Sequence, residues 1–375
     1  MADFKVNRLQ CEEDGGEEFA DREISVTKLL KFVNLNSSPL TTLNLSKVTV
    51  TMSQVHQVLS SAAGNLKELN MKEVTEVMED VQPKMDQIEI KQLEHFNVDL
   101  DASVANYIMS IISTENIKYF SGTWNDIEGE NEEFVRESFS QFMRPQKQLE
   151  SLRLSACPTR FLLEDSVITK PFPFLARNID LSLSTNLEDE SFLMEFLETQ
   201  RSSLRELTLR FAELFAQDIY RMMTFEIKEL SFMECKFLWQ RRVEIKNPNI
   251  EFISISKPRF ESPDDEYQVC DLLMSACNAT KLKLESLPIS FWISLTISQA
   301  MKNLKTLQLE SCDVQDPFVY PSVEEFEFRD IESEQIVMLV HANKQLKKIN
   351  LPSDDLNDDL ISEMKQFPSI EVCHN

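Results

Sequence analysis

A six-residue phrase built on apolar first, fourth and sixth places recurs fourteen times from Leu40 to the C-terminus, starting at residues 40, 66, 93, 117, 149, 178, 204, 227, 250, 279, 304, 323, 346 and 367. The clearest copies read LTTLNL (40–45), LKELNM (66–71), LESLRL (149–154), LRELTL (204–209), LKTLQL (304–309) and LKKINL (346–351). The intervals run from 19 to 32 residues. That regularity is the mark of a solenoid, in which each repeat buries its apolar face only by stacking on its neighbours. The fourth and sixth places alternate with polar ones, so they share one face of a short strand, and that face is the core. One continuous repeat lets a chain of 375 residues run as a single elongated domain.

Three residues beyond the sixth place, eight of the fourteen copies carry Asn, Cys or Asp: Asp101, Asn125, Cys157, Asn186, Cys235, Cys312, Asp354 and Asn375. The composite LxxLxLxxN/C resembles the leucine-rich repeat. The cysteines at Cys157, Cys235 and Cys312, with a period of roughly 26 residues, are similar to those of the cysteine-containing subfamily common in F-box adaptor proteins. A buried polar side chain at this ninth place bonds the backbone of neighbouring coils. Val48, Val74, Ala212, Pro258, Leu287 and Ile331 depart from the pattern, and the ladder is expected to break there.

Amphipathic segments at 55–63, 104–112, 190–199, 267–277, 290–301 and 333–342 lie between the phrases and predict helices. The expected fold is therefore α/β: a curved leucine-rich-repeat horseshoe with parallel strands on its concave face and helices on its convex face. The 25 phenylalanines are expected to fill the wedge between the two layers. Residues 39–375 are read as the repeat domain, and residues 1–38 as an acidic tail (12–21) followed by a capping helix (24–33). The last phrase, FPSIEV (367–372), predicts a final strand whose edge needs charge or a partner to cover it.

Composition excludes several function classes. With 5 glycines, none spaced as GxGxxG or GxxxxGK, no phosphate-cradling loop can be assembled. A formal charge of −25 opposes counterion-driven capture of nucleic acid, and the best basic cluster, Arg241, Arg242 and Lys246, reads as a solvated face. The most apolar run, ISFWISLTI (289–297), is half the length of a membrane span, and acids stand where a signal peptide needs bases. Seven cysteines without CxxC spacing fit reduced thiols in cytosol or nucleus, with Cys270 and Cys277 as core thiols on one helix. His56, His95, His341 and His374 sit in separate repeats, and HExxH is absent. No catalytic set, metal or cofactor is expected, and the chain reads as a non-enzyme.

What remains is the strand face formed by the third, fifth and seventh places. Over the first six phrases 5 of 18 such places are charged, whereas 12 of 24 are charged over the last eight. The contrast predicts a two-part surface for a protein partner: neutral hydrogen-bonding groups first, with Arg153 among them, then mixed charge at Arg210, Lys281, Lys283, Glu285, Glu310, Glu325, Glu327 and Arg329. Tyr119, Met233 and Phe252 are candidate apolar anchors on the same places. The long segments 124–148 and 257–266 are expected to rim this face. Changing Lys281, Lys283 and Arg329 together to Glu is expected to abolish partner binding without unfolding. The family resemblance implies substrate recognition for a ubiquitin ligase. Only 38 residues precede Pro39, and none reproduces the Leu-Pro opening of an F-box. An enzyme regulator, such as a GTPase activator or inhibitor, is the alternative.

Overall fold

The computed structural model describes residues 8–11, 40–76, 86–125, 130–157, 172–183, 190–239, 246–260, 266–352, 360 and 363–374. The acidic tract 12–21, the expected capping helix 24–33, Arg241, Arg242 and residues 261–265 lie outside them. By its internal contacts the chain divides into two compact units, Met1–Gln200 and Arg201–Asn375.

Among the described residues of the first unit, seven parallel strands follow chain order: β1 (Arg8–Cys11), β2 (Thr42–Ser46), β3 (Glu68–Lys72), β4 (His95–Asp101), β5 (Tyr119–Asn125), β6 (Ser151–Cys157) and β7 (Asn178–Leu183). The described residues of the second unit repeat the plan with eight: β8 (Glu206–Arg210), β9 (Glu229–Met233), β10 (Phe252–Ser256), β11 (Lys281–Glu285), β12 (Thr306–Glu310), β13 (Glu325–Arg329), β14 (Lys348–Leu351) and β15 (Glu371–His374). Corresponding places stand side by side, for example Leu69 beside Leu43 and Phe96. From β2 to β14 the first, fourth and sixth places are buried as the pattern requires: Leu66, Leu69 and Met71 are all 0% exposed. Each such side chain is worth about 1.5–3 kcal/mol when removed from water.

The turn out of the strand uses a device that the apolar pattern does not reveal. Lys47, Glu73, Ala156, Phe211, Glu234, Lys257, Ser286, Ser311 and Asp330 have φ between 47° and 59°. Each is the eighth residue of its phrase, and none is glycine. A left-handed non-glycine residue costs on the order of 1–3 kcal/mol, and a backbone bond to the next coil offsets it. Lys47 N–H donates to Lys72 C=O (2.9 Å), Phe211 to Met233 (3.0 Å) and Ser286 to Glu310 (2.9 Å). The turn brings the ninth side chain inward, where Val48, Val74, Ala212 and Leu287 are buried. The ladder of polar ninth-place side chains is interrupted at these coils, but main-chain bonds join the coils and continue past Val48, Val74, Ala212, Pro258 and Leu287. Cys235 and Cys312 add to these bonds, each Sγ donating to a carbonyl of the preceding strand, Leu209 or Leu284, at 3.3 Å. Asp101 does not turn the chain, because β4 and β5 run straight through the eighth place, where the large buried Leu100 and Trp124 pair with each other.

Two registers differ from the sequence reading. Ile179 pairs with Leu152 and Leu181 with Leu154, which starts that phrase at Ala176 instead of Asn178. Val372 pairs with Ile349, moving the last start from Phe367 to Ser369. Asn186 and Asn375 thus leave the ninth place, and Asp180 and Cys373 replace Ser182 and Glu371 at the fifth. An additional strand, β1, pairs Leu9 with Leu43 and Cys11 with Leu45. VNRLQC (6–11) therefore continues the phrase into a segment that the sequence reading left outside the repeat.

The helical layer comprises α1 (Met52–Ala62), α2 (Ala102–Ile111), α3 (Glu130–Met143) and α4 (Glu190–Gln200) in the first unit, and α5 (Ala216–Met222), α6 (Glu266–Ser275), α7 (Phe291–Ala300) and α8 (Ser333–Ala342) in the second. Their starts are encoded locally. Thr51 and Gln54 form a reciprocal capping box on α1 at 3.2 and 3.0 Å, and Ser290 Oγ accepts from Ile293 N–H on α7. Helix α3 corrects the reading of segment 124–148 as a rim of the strand face over residues 130–143, where buried Val135, Phe139, Phe142 and Met143 make it its coil's own core helix; residues 126–129 lie outside the described residues.

Aromatic rings fill the layer between strands and helices, as Phe96, Phe120, Phe139 and Phe142 show in the first unit. Gly122 occupies a sixth place there because the Trp124 indole takes the room a side chain would use; a Cβ would lie 2.8 Å from the ring. Gly122→Val is expected to overpack the coil and lower first-unit stability by about 1–3 kcal/mol. A urea midpoint unchanged from wild type would contradict this contact.

Buried amides close the coils on the return from the helices. Gln146 accepts from Ile117 N–H and donates to the carbonyls of Thr114 and Phe142. Gln200 accepts from Ala176 N–H and donates to Phe174 C=O. In the second unit Asn343 accepts from Tyr320 N–H (2.7 Å) and donates to Phe318 C=O (2.9 Å) and Leu339 C=O (2.8 Å). Side chains outside the phrase thus bear much of the buried polar satisfaction.

Candidate functional site

Because the fourth and sixth places of β2 to β14 are buried, their third, fifth and seventh places stand on the opposite face, and the parallel register aligns them across strands. In the second unit this gathers seven of the charges expected from sequence onto three adjacent strands. Lys281 on β11 reaches across β12 to Glu327 on β13, Nζ to Oε1 at 3.0 Å. Lys283 lies between Glu285 (3.0 Å) and Glu310 (2.8 Å), and Arg329 approaches the other oxygen of Glu310 at 3.6 Å. Glu325 accepts from Lys348 (2.8 Å), Asn350 (2.7 Å) and Thr306 (3.2 Å). Lys348, Asn350 and Thr306 were not singled out from sequence, although each occupies an inner place of its own phrase. Beside this lattice, Arg210 Nη1 donates to Met233 Sδ at 2.9 Å, and half-buried Phe252 stands in register with Lys281. Glu206 and Glu229 are neighbours in register; partial loss of solvent contact, then the charge of Glu229, raises the Glu206 carboxyl above its ordinary value.

The electrostatics follow from these contacts. Burial pushes the Glu285 carboxyl up, but the hydrogen bond from Lys283 contributes to a net shift below the usual carboxylate range. Burial likewise opposes ionisation of Glu325, and Lys348 and Asn350 help to reverse that effect. Burial lowers the Lys283 ammonium, while Glu310 and Glu285 together raise it above its ordinary value. The two carboxylates, depressed in the folded state, contribute stability above the unfolded value of about 4.3, and this is lost as pH falls through the folded values. Lys283, raised in the folded state, contributes below about 10.4, and this is lost as pH rises through its folded value. Second-unit stability is therefore expected to fall on the acid side of about pH 4, with a shallower fall in Lys283→Met. Urea midpoints measured from pH 3 to 7 test this, and parallel curves for the two proteins would contradict it.

The first unit presents a more neutral face. Asn70 donates to Asn44 at 2.6 Å and to Glu68 at 2.9 Å. Tyr119, 41% exposed, stacks on His95 with ring centres 4.4 Å apart. Arg153 lies 3.4 Å from Asp180, a partner that the shifted register had hidden. Tyr119 and Arg153 sit on adjacent strands, two places apart in register.

The thiols are placed for packing. Burial pushes Cys235 up to about 12 and raises Cys312 as well, so neither supplies a thiolate nucleophile near neutral pH. Cys270 is buried on α6, whereas Cys277 is half-buried beyond the end of that helix, correcting its reading as a core thiol. Among the described residues, no group of three or more His, Cys, Asp and Glu is arranged to hold a metal ion. No helix among them is long and apolar enough to cross a membrane.

No family model matches the chain, and no curated protein matches it. Among solved structures, it is similar to TLR13 in a TLR13–ssRNA13 complex, with a TM-score of 0.50 and 14% identity over 90% of this chain. The fold is a leucine-rich-repeat solenoid. This solenoid spans about half of that TLR13 chain, 46% of its length. The leucine-rich repeat-containing protein LegL7 from Legionella pneumophila matches with a TM-score of 0.42 and 10% identity, covering 96% of this chain and 97% of its own.

Proposed function

We propose that this solenoid is a non-enzymatic interaction scaffold that holds a protein partner on its strand face. The observation that carries the reading is the ion-pair lattice of Lys281, Lys283, Glu285, Glu310, Glu325, Glu327 and Arg329. Side chains already held in place lose less conformational freedom on binding, and alternating charge fixes a partner's register. The lattice also supports a protein over a nucleic acid, since Lys281, Lys283, Arg329 and Lys348 each have a carboxylate within 4 Å, which leaves little uncompensated positive charge for phosphates. Cytosol or nucleus is the proposed compartment, supported by free, buried Cys235 and Cys312 that bond backbone carbonyls.

Affinity capture with mass spectrometry identifies the partner class. A Skp1- or cullin-type protein would support the substrate-recognition role, and a GTPase the regulatory alternative. Lys281 and Arg329 are 40% and 60% exposed, so Lys281→Glu with Arg329→Glu tests the face at modest cost to the fold. Binding of the captured partner is expected to weaken by about tenfold or more. Unaltered affinity would remove the second unit's strand face from the account.

A further inference from the structure

On the helical side of the second unit, α6 and α7 enclose a groove of about 510 Å³ that the strand-face reading does not use. Two facing stripes line it. Tyr267, Cys270 and Met274 follow one side of α6, and Trp292, Leu295 and Gln299 follow one side of α7. Both stripes keep the three- and four-residue steps of a single helix face over about two turns. The α7 stripe is not its core face, which is formed by Ile293, Ser294 and Ile297.

The rim is apolar and open. Trp292 is 60% exposed, and Phe291, 49% exposed, touches both Trp292 and Phe318 edge-on. Its charge has one sign: Glu266 and Asp271 belong to the lining, and no Lys or Arg does. Asp271 accepts from the Trp239 indole at 3.3 Å, which fixes that carboxylate in the wall.

We propose that this groove docks a short amphipathic helix of another protein, one with large apolar side chains on one face and Lys or Arg beside them. An elongated slot between two parallel stripes fits a helix laid along it, the aromatic rim supplies the anchor, and the acids select a basic guest over an acidic one.

The test uses the full chain and three labelled synthetic peptides of about 15 residues, long enough to populate helix. One is an amphipathic helix of Leu, Trp and Lys, the second has Glu for every Lys, and the third scrambles the basic peptide to destroy its apolar face. Anisotropy titrations are expected to show binding of the basic helix alone, weakened about tenfold or more in Trp292→Ala. Gln299→Lys is expected to weaken the basic helix and improve the acidic one. Both substitutions are at exposed positions, and unchanged urea midpoints will show that the fold survives. Equal binding of the scrambled peptide, wild-type affinity in Trp292→Ala, or no binding of the basic helix would overturn the proposal. Concentration-dependent self-association abolished by Trp292→Ala would also overturn it, by assigning the groove to a second copy of this chain.

Discussion

Asn343→Leu is expected to lower second-unit stability by about 2–4 kcal/mol, because one fully buried amide serves three main-chain groups of its coil. Its loss strands the Tyr320 N–H and the Phe318 C=O, while Leu339 C=O lies in the same buried helix end. Leucine fills the volume without offering donor or acceptor, so the change isolates the hydrogen bonds from packing. The measurement is the urea midpoint of the second unit. Asn343→Gln, which keeps both functions on a longer stem, is expected to recover part of the loss. A Leu variant as stable as wild type would show that these backbone groups find other partners.

Lys283→Glu is expected to cost about 2–3 kcal/mol, in contrast to the milder effect of Lys281→Glu. Lys283 is 24% exposed and lies within 3.0 Å of Glu285 and Glu310, themselves 14% and 16% exposed. Reversal would crowd three carboxylates into one half-buried site. Lys281 and Arg329 stand nearer to solvent, where screening dilutes each pair to about 0–1 kcal/mol. Reversing Lys281, Lys283 and Arg329 together would therefore mix loss of binding with loss of fold, contrary to the expectation from sequence. Comparable midpoints for Lys283→Glu and Lys281→Glu would contradict the interior position of Lys283.

The solenoid was legible because its determinants are local and repeated. Leu66, Leu69 and Met71 have the same neighbours in their coil as Leu304, Leu307 and Leu309 have in theirs, so period alone exposes them. One register failed where a polar match competed with the apolar pattern: Asn186 drew its phrase away by two residues, although Ala176, Ile179 and Leu181 form a consistent apolar set. The last failed because Phe367, Ile370 and Val372 offer an apolar set of their own, whereas Val372 pairs as the fourth place. Strand β1 escaped because its phrase lies 34 residues before the next. Helix α3 was hidden by the acids that share its sequence with Val135, Phe139 and Phe142.

The strand-face residues were readable individually, but their pairing was not. Lys281 meets Glu327 across an intervening strand, a relation fixed by the stacking of three coils and by no spacing within one. The left-handed eighth place was invisible for a different reason: Lys, Glu, Ala, Phe, Ser and Asp all occupy it. The backbone bond to the next coil imposes that conformation, so residue type carries little trace of it.

Site-specific photo-crosslinking tests the central claim most directly. A photoreactive residue replacing Arg329 on the strand face, and separately one replacing exposed Glu334 on α8, is introduced into the full chain. The protein captured by wild type is expected to crosslink from position 329 and not from position 334. Crosslinking from 334 alone would contradict partner recognition on the strand face.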